Sequence, residues 1–299
     1  MRKEIEKAVA LLEMKDPQAT EQALALLQGT VFSFSMKVCG QREDAEDTMQ
    51  EVLVKVLPYL SRFESPRALL VWLYKVAKTR CLMSRRKSKF APKQDLSLDE
   101  LMPDGRELLR LAQEGPVNPE SLAIRGQQAK RLREAIQELP PQYRIVLVLR
   151  DMEGLTEEEV GDITGLRAGT VRVRLHRARL FVRQRLARQD HTAHHGKRSQ
   201  VESHRAGISS PQPKPPSCKA LFAQLSNYLD EQLDDSLCEN LEQHLEGCEA
   251  CKAFLSSLEA TIGQLQRLPP KTLNKAAADK VRKEILSRYP YPLAIHGTK

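Results

Sequence analysis

The stretch Gly154-Leu-Thr-Glu-Glu-Glu-Val-Gly-Asp-Ile-Thr-Gly-Leu-Arg-Ala-Gly-Thr-Val-Arg-Val-Arg-Leu-His-Arg-Ala-Arg179 decides the fold of this chain. Thr156 followed three residues later by Glu159 forms a capping box, and Leu155 with Val160 is placed as a hydrophobic staple, so a helix is predicted from Glu157. It runs through Val160 and Ile163 and stops at Thr164-Gly165-Leu166, where Gly165 can take the left-handed conformation. A second helix is predicted from about Arg167, which is the spacing of a helix-turn-helix. On that helix Val171, Leu175, Ala178 and Val182 recur at i, i+4, i+7 and i+11 as a buried stripe, with Thr170, Arg172, Arg174, Arg177 and Arg179 off it. From Arg167 to Arg188 there are eight arginines and no acid. Like charges without acidic partners one turn away repel one another, and a polyanion relieves that repulsion. Arg167 also opposes the helix dipole, a cost that a nearby phosphate offsets.

Outward from this motif, strand signals are scarce. Apolar residues at helical spacing recur over 45–57, 67–83, 127–139 and 170–186, so an all-α fold is predicted. Two breaks divide the 299 residues. Between Ala91 and Pro119 four prolines and two glycines interrupt an acidic stretch, and from about Asp190 to Ser217 a polar, proline-rich segment cannot bury a core. The expected organisation is a helical domain over 1–93, an acidic linker over 94–119, and the helix-turn-helix domain over 120–189. A flexible linker over 190–217, a small module over 218–265 and a basic tail over 266–299 follow. The chain carries 47 Lys and Arg against 39 Asp and Glu, a net +8, unevenly spread. Residues 1–217 hold 37 basic against 28 acidic, 218–260 hold 2 against 9, and 261–299 hold 8 against 2. A basic body suited to a polyanion and a small acidic module with a separate task follow from that asymmetry. No apolar run approaches the roughly 18 residues of a membrane span, and the N-terminus reads as an amphipathic helix rather than a secretory signal, so a cytoplasmic location without membrane attachment is expected. In such a reducing compartment the six cysteines read as thiols or metal ligands rather than a disulfide framework.

The small module supplies the metal signal. Cys218, His244, Cys248 and Cys251 give the spacing C-x25-H-x3-C-x2-C. His and Cys at i and i+4, with a second Cys three residues on, can converge on one tetrahedral ion, and Cys218 would complete the set. Four protein ligands leave no open position, so the expected Zn²⁺ is structural. Cys238 is a spare thiol, Cys39 is isolated, and Cys81 reads as a small buried hydrophobe. Trp72 reads as core, and the linker histidines His191, His194, His195 and His204 read as solvated. The chain has no phosphate-binding G-x4-G-K-[S/T], no G-x-G-x-x-G and no H-E-x-x-H, so an enzyme is not expected.

Pro140-Pro-Gln-Tyr-Arg-Ile-Val-Leu-Val-Leu-Arg-Asp-Met-Glu-Gly154, the turn, and Gly169-Thr-Val-Arg-Val-Arg-Leu-His-Arg-Ala-Arg179 together closely resemble region 4 of extracytoplasmic-function sigma factors. The resemblance implies a helix that enters the major groove of a minus-35 element, with Arg167, Thr170, Arg172, Arg174 and Arg177 as its DNA-binding residues. Asp44-Ala-Glu-Asp-Thr-Met-Gln-Glu-Val-Leu-Val-Lys-Val56 resembles the helix of sigma region 2 that binds core RNA polymerase. This implies that Asp44, Asp47, Gln50 and Glu51 face the clamp coiled coil of the largest polymerase subunit. Ser65-Pro66 starts a further helix, whose Trp72-Leu-Tyr-Lys-Val-Ala77 is similar to a phrase of the same family. Eight bases and no acid lie between Lys75 and Lys93. The resemblance assigns Lys75, Lys78, Arg80, Arg85 and Arg86 to the separating minus-10 duplex and the loop Ser61-Arg-Phe-Glu-Ser65 to capture of a flipped base. Residues 218–260 resemble the zinc-binding anti-sigma domain through Tyr228-Leu-Asp230 and His244-Leu-Glu-Gly-Cys248. That implies intramolecular docking of the module on the sigma domains, within reach of a tether over 191–217. The implied function is an alternative sigma factor, with bacterial core RNA polymerase and promoter DNA as partners, restrained by its own module. A conventional helix-turn-helix regulator that binds duplex DNA without polymerase is the competing reading, and a purely protein-binding regulator is a third.

Overall fold

Asp16 accepts the backbone N–H of Ala19 at 2.8 Å and Pro17 takes the next position, so the longest helix of the N-terminal region starts with its donors satisfied. It ends at Gly40, whose φ of 85° only glycine adopts cheaply. This computed structural model describes residues 2–85, 95–114, 126–195, 221–222 and 224–288. Its regular elements there are all helices: α1 Arg2–Glu13, α2 Pro17–Cys39, α3 Arg42–Val56 with a 3₁₀ turn at Leu57–Arg62, α4 Pro66–Arg85, α5 Leu98–Leu101, α6 Gly105–Glu114 and α7 Gly126–Glu138. Then come α8 Pro141–Leu147 with a π-wound end at Val148–Met152, α9 Glu157–Thr164, α10 Ala168–His195, α11 Leu225–Leu229, α12 Asp235–Gly247, α13 Glu249–Arg267 and α14 Lys275–Arg288. The all-α expectation holds. The chain divides into two packed units, one made of Met1–Lys93, Glu153–Arg167 and Pro269–Lys299, the other of Gln94–Met152 and Ala168–Leu268.

In the first unit α2 runs through the middle of a bundle with α1, α3 and α4. Leu24, Leu27, Val31 and Phe34 of α2 are buried, as are Ala45, Met49, Val52, Leu53 and Val56 of α3, the residues whose spacing pointed inward. Each fully buried Leu, Val, Phe or Met side chain among them contributes about 1.5–3 kcal/mol relative to exposure. Phe34 stacks on Tyr74 of α4 at 4.3 Å between centroids, and the Tyr74 hydroxyl donates to Glu153 Oε2 at 2.7 Å. Burial and the Glu153 charge push the Tyr74 pKa well up, so the hydroxyl remains a donor. Lys37 Nζ lies 2.6 Å from Glu153 Oε1, giving this buried carboxylate a cationic partner. One cysteine expectation is corrected here. The adjacent ends of α2 and α4 bring the Cα atoms of Cys39 and Cys81 to 5.2 Å, within disulfide range, and the two are bonded rather than separate thiols.

In the second unit the predicted stripe of α10, Val171, Leu175, Ala178 and Val182, is buried. It lies in a core shared with α7 and α8. Arg144 of α8 is itself buried and turns back on α7, donating to the carbonyls of Ile136 at 3.0 Å, Leu139 at 2.8 Å and Gln137. These carbonyls lie at the C-terminal end of α7, where a helix runs out of its own donors, so a charged side chain replaces water there. The acidic segment expected as a linker carries the short helices α5 and α6, and α6 packs along α13 of the small module. Phe222 meets Phe254 of α13 edge-on at 4.8 Å, forming the apolar centre of that module.

Candidate nucleic-acid interface and metal centre

The capping box forms as read: Thr156 Oγ1 accepts Glu159 N–H at 3.2 Å, and Glu159 Oε2 accepts Thr156 N–H at 2.7 Å. Gly165 ends α9 with a φ of 75°, the turn the motif requires. In the first unit α9 packs on α4, where Arg67 Nε is 3.0 Å from Glu159 Oε1 and Lys78 Nζ donates to the Ile163 carbonyl at 2.7 Å. Arg167 and Thr170 are exposed, and Arg172, Arg174 and Arg177 are half-buried. Val173, among them, is half exposed.

Further along α10 the environment changes. Arg179 sits between two carboxylates: Nε and Nη2 donate to Asp151 at 2.9 and 2.6 Å, and Nη1 and Nη2 donate to Asp230 at 2.8 and 2.9 Å. Burial opposes its charge, and the two carboxylates outweigh burial, holding its pKa above the ordinary arginine value. Arg183 donates to Glu107 of α6 at 2.5 Å and to Ser257 of α13 at 3.3 Å, with its guanidinium 4.0 Å from the Phe254 ring centroid. His176 Nδ1 lies 2.7 Å from Ser226 Oγ. Burial, with Arg179 and Arg177 beside it, pushes the His176 pKa down to about 4, so the ring is neutral near pH 7. Asp230, Ser226, Ser257 and Phe254 all belong to the small module, which is thus seated on α10 from His176 to Arg183. Sequence reasoning placed Arg179 off the apolar stripe and did not find its partners. Asp230 stands in the quoted Tyr228-Leu-Asp230 phrase, but no local spacing links it to an arginine 51 positions away.

The metal ligands converge in part. His244 lies in the last turn of α12, Cys248 joins α12 to α13, and Cys251 is buried in the first turn of α13. Their donor atoms all lie within 4.8 Å of one another, with His244 Nε2 and Cys251 Sγ 3.3 Å apart. Bonds of about 2.0 Å to nitrogen and 2.3 Å to sulfur in a tetrahedral site put such ligands roughly 3.5 Å apart, so the nitrogen–sulfur donor set fits zinc. Cys218 lies outside the described residues, and Cys238 does not join the group.

On α3, Asp47 is exposed, and Asp44, Gln50 and Glu51 are half-buried. Glu51 is engaged by Lys55 Nζ and by Arg80 Nε of α4, each at 2.6 Å. One residue expected at DNA is therefore paired with one expected at polymerase. Lys75 is exposed, while burial and the charge of Lys75 lower the Lys78 pKa. Arg85 closes α4, and Arg86 lies outside the described residues. Trp72 is half-buried with its ring edge-on to Phe63 at 5.8 Å, next to the loop assigned to base capture.

Family models match three segments of the chain in order. Sigma-70 region 2 matches residues 24–90, sigma-70 region 4 matches 129–182, and a zinc-finger family matches 218–252. The chain is 32% identical over 159 residues to the ECF RNA polymerase sigma factor SigE of Mycolicibacterium smegmatis, covering 53% of this chain and 58% of that one. It is 25% identical to the ECF RNA polymerase sigma factor SigW of Bacillus subtilis, covering 61% of this chain and 96% of that one. To the RNA polymerase sigma factor SigV of the same organism it is 29% identical, covering 59% and 99%. No described helix is long and apolar enough to cross a membrane. With both sigma regions matched in order and the zinc-finger match following them, the chain belongs to the extracytoplasmic-function sigma factors of the sigma-70 family and carries a C-terminal domain of the anti-sigma-like zinc-finger type.

Proposed function

We propose that this protein directs bacterial core RNA polymerase to specific promoters in the cytoplasm and that its zinc module restrains it. The observation that carries the reading is the pair of sigma regions in chain order, the second with an arginine-rich helix whose first turns reach solvent. Arg167, Thr170, Arg172, Arg174 and Arg177 read the minus-35 element, where arginines pair with guanine edges or phosphates. Lys75, Lys78, Arg80, Arg85 and Arg86 hold the minus-10 strand, and Asp44, Asp47, Gln50 and Glu51 meet the polymerase clamp. His244, Cys248 and Cys251, with Cys218 as fourth ligand, would hold a structural Zn²⁺, and so held they would tie α12 to α13 and keep the surface that grips Arg179 and Arg183 in shape. Promoter-selective run-off transcription with core polymerase tests the reading. Arg174→Ala with Arg177→Ala should lower promoter-dependent product about tenfold or more while leaving polymerase binding unchanged. Specific binding to promoter duplex in the absence of polymerase, with no run-off product in its presence, would favour the conventional regulator instead.

A further inference from the structure

Four helices of the second unit, α6, α7, α10 and α13, line a cleft of about 230 Å³. Arginine reaches it from three of them: Arg110 of α6, Arg131 of α7 and Arg183 of α10. No Asp or Glu stands among its described lining residues, which add the amides of Gln128 on α7 and Gln264 on α13. Arg183 is 3% exposed, and although Glu107 and Ser257 take its Nη atoms, its Nε has no acceptor among the described residues. A buried donor in that state costs stability until an acceptor reaches it. Burial pushes the Arg183 pKa down and the charge of Arg110 adds to that push, against the upward pull of Glu107. The cations therefore crowd one another around the cleft, and an anion among them would relieve both the crowding and the buried donor.

We propose that this cleft is a binding site for the phosphate group of a small phosphorylated ligand, taken between Arg110, Arg131 and Arg183. Guanidinium groups donate paired N–H bonds to phosphate oxygens, and Gln128 and Gln264 add neutral donors. The volume lies below the roughly 300–1,000 Å³ of pockets that bury a whole drug-sized ligand, so a mono- or diphosphate group enters and the rest of the ligand stays outside. A duplex backbone suits the cleft less, because α6, α7 and α13 wall it, and Arg183 stands roughly 13 Å along α10 from the exposed stretch ending near Arg174. Since α13 supplies one wall, the complete site exists only while the small module is seated on α10, so the ligand binds that form and holds the module down. The site makes no use of the promoter or polymerase assignments.

Titration calorimetry of the full-length protein with pyrophosphate, at low ionic strength where charge pairing is least screened, tests the site. Pyrophosphate should bind saturably, and amide exchange across α7 and α13 should slow when it does. Arg131→Gln, which removes a cation at a half-buried position, and Gln264→Glu, which sets a carboxylate in the wall that α13 supplies, should each weaken binding about tenfold or more. Arg188→Gln, exposed on α10 and outside the lining, should leave it unchanged. Absence of saturable binding, or equal binding in the wild type and both lining variants, overturns the proposal. The exchange map of the wild type needs no substitution, and protection confined to α4 or to the first turns of α10 would place the anion elsewhere and overturn it as well. A DNA duplex that displaces pyrophosphate and loses affinity with the same two substitutions would assign the cleft to a nucleic-acid backbone instead.

Discussion

The first turns and the middle of α10 carry the same residue type to opposite ends. In the first turns Arg172, Arg174 and Arg177 reach solvent around the half-exposed Val173. In the middle, Arg179 and Arg183 are buried among Asp151, Asp230 and Glu107, brought from 28, 51 and 76 residues away. Nothing in the helix distinguishes them, since eight arginines follow one another without an acid from Arg167 to Arg188. What differs is the cover. A long-range carboxylate turns a residue suited to a polyanion into one that fixes a domain, and the desolvation that makes such a pair hard to form also makes it costly to break.

Metal removal breaks that contrast most severely. Binding energy of a structural zinc is folding energy for a module of this size, so chelation or Cys248→Ser with Cys251→Ser should abolish hydrogen-exchange protection across α12 and the start of α13. The stretch of α10 from His176 to Arg183 should lose its cover while its first turns, up to Arg174, exchange as before. Next in size is Arg179→Ala, which leaves Asp151 buried without its cation and should cost the second unit about 3–5 kcal/mol in chemical denaturation. Arg177→Ala, two residues earlier, should stay within about 0.5 kcal/mol. Asp230→Asn acts on the module's grip alone, because Asp151 still pairs with Arg179. It should raise exchange in α11 by about 10–100-fold, the effect of losing roughly 1.5–3 kcal/mol of charge-assisted hydrogen bonding.

The smallest effect is that of pH, and its sign follows from His176. Seated under Ser226 it stays neutral down to about pH 4, whereas an uncovered histidine takes a proton near 6.5. The released form therefore binds the proton first, and the seated module is weakened as pH falls from about 6.5 towards 4. Exchange in α11 should rise by up to about tenfold between pH 7 and 5.5. His176→Asn, which keeps a polar partner for Ser226, should flatten that part of the profile.

Features closed within one or two turns of chain were legible beforehand. The Thr156–Glu159 capping box, the Gly165 turn, the buried stripe from Val171 to Val182 and the inward face of α3 depend on spacing alone, and all are present. The approach of His244, Cys248 and Cys251 was legible for the same reason. The grip on Arg179 was not, because any of the module's nine acids could have faced any of eight arginines until the fold chose Asp230. The Cys39–Cys81 bond escaped for a related reason: a residue at the end of α2 and one near the end of α4 become neighbours only once the bundle packs. The seat of α14 in the first unit has no signal in its own sequence beyond Val281 and Ile285, a pair too short to name its partner.

Run-off transcription from a selected promoter with bacterial core polymerase, comparing the full chain with one ending at Gln189, tests the central claim most directly. Both forms should yield the promoter-specific transcript, with severalfold more from the shorter chain, which lacks the zinc module and α14. Equal or lower yield from the shorter chain, with both forms folded and the polymerase competent, would contradict self-restraint by the C-terminal region, and no specific transcript from either would contradict initiation itself.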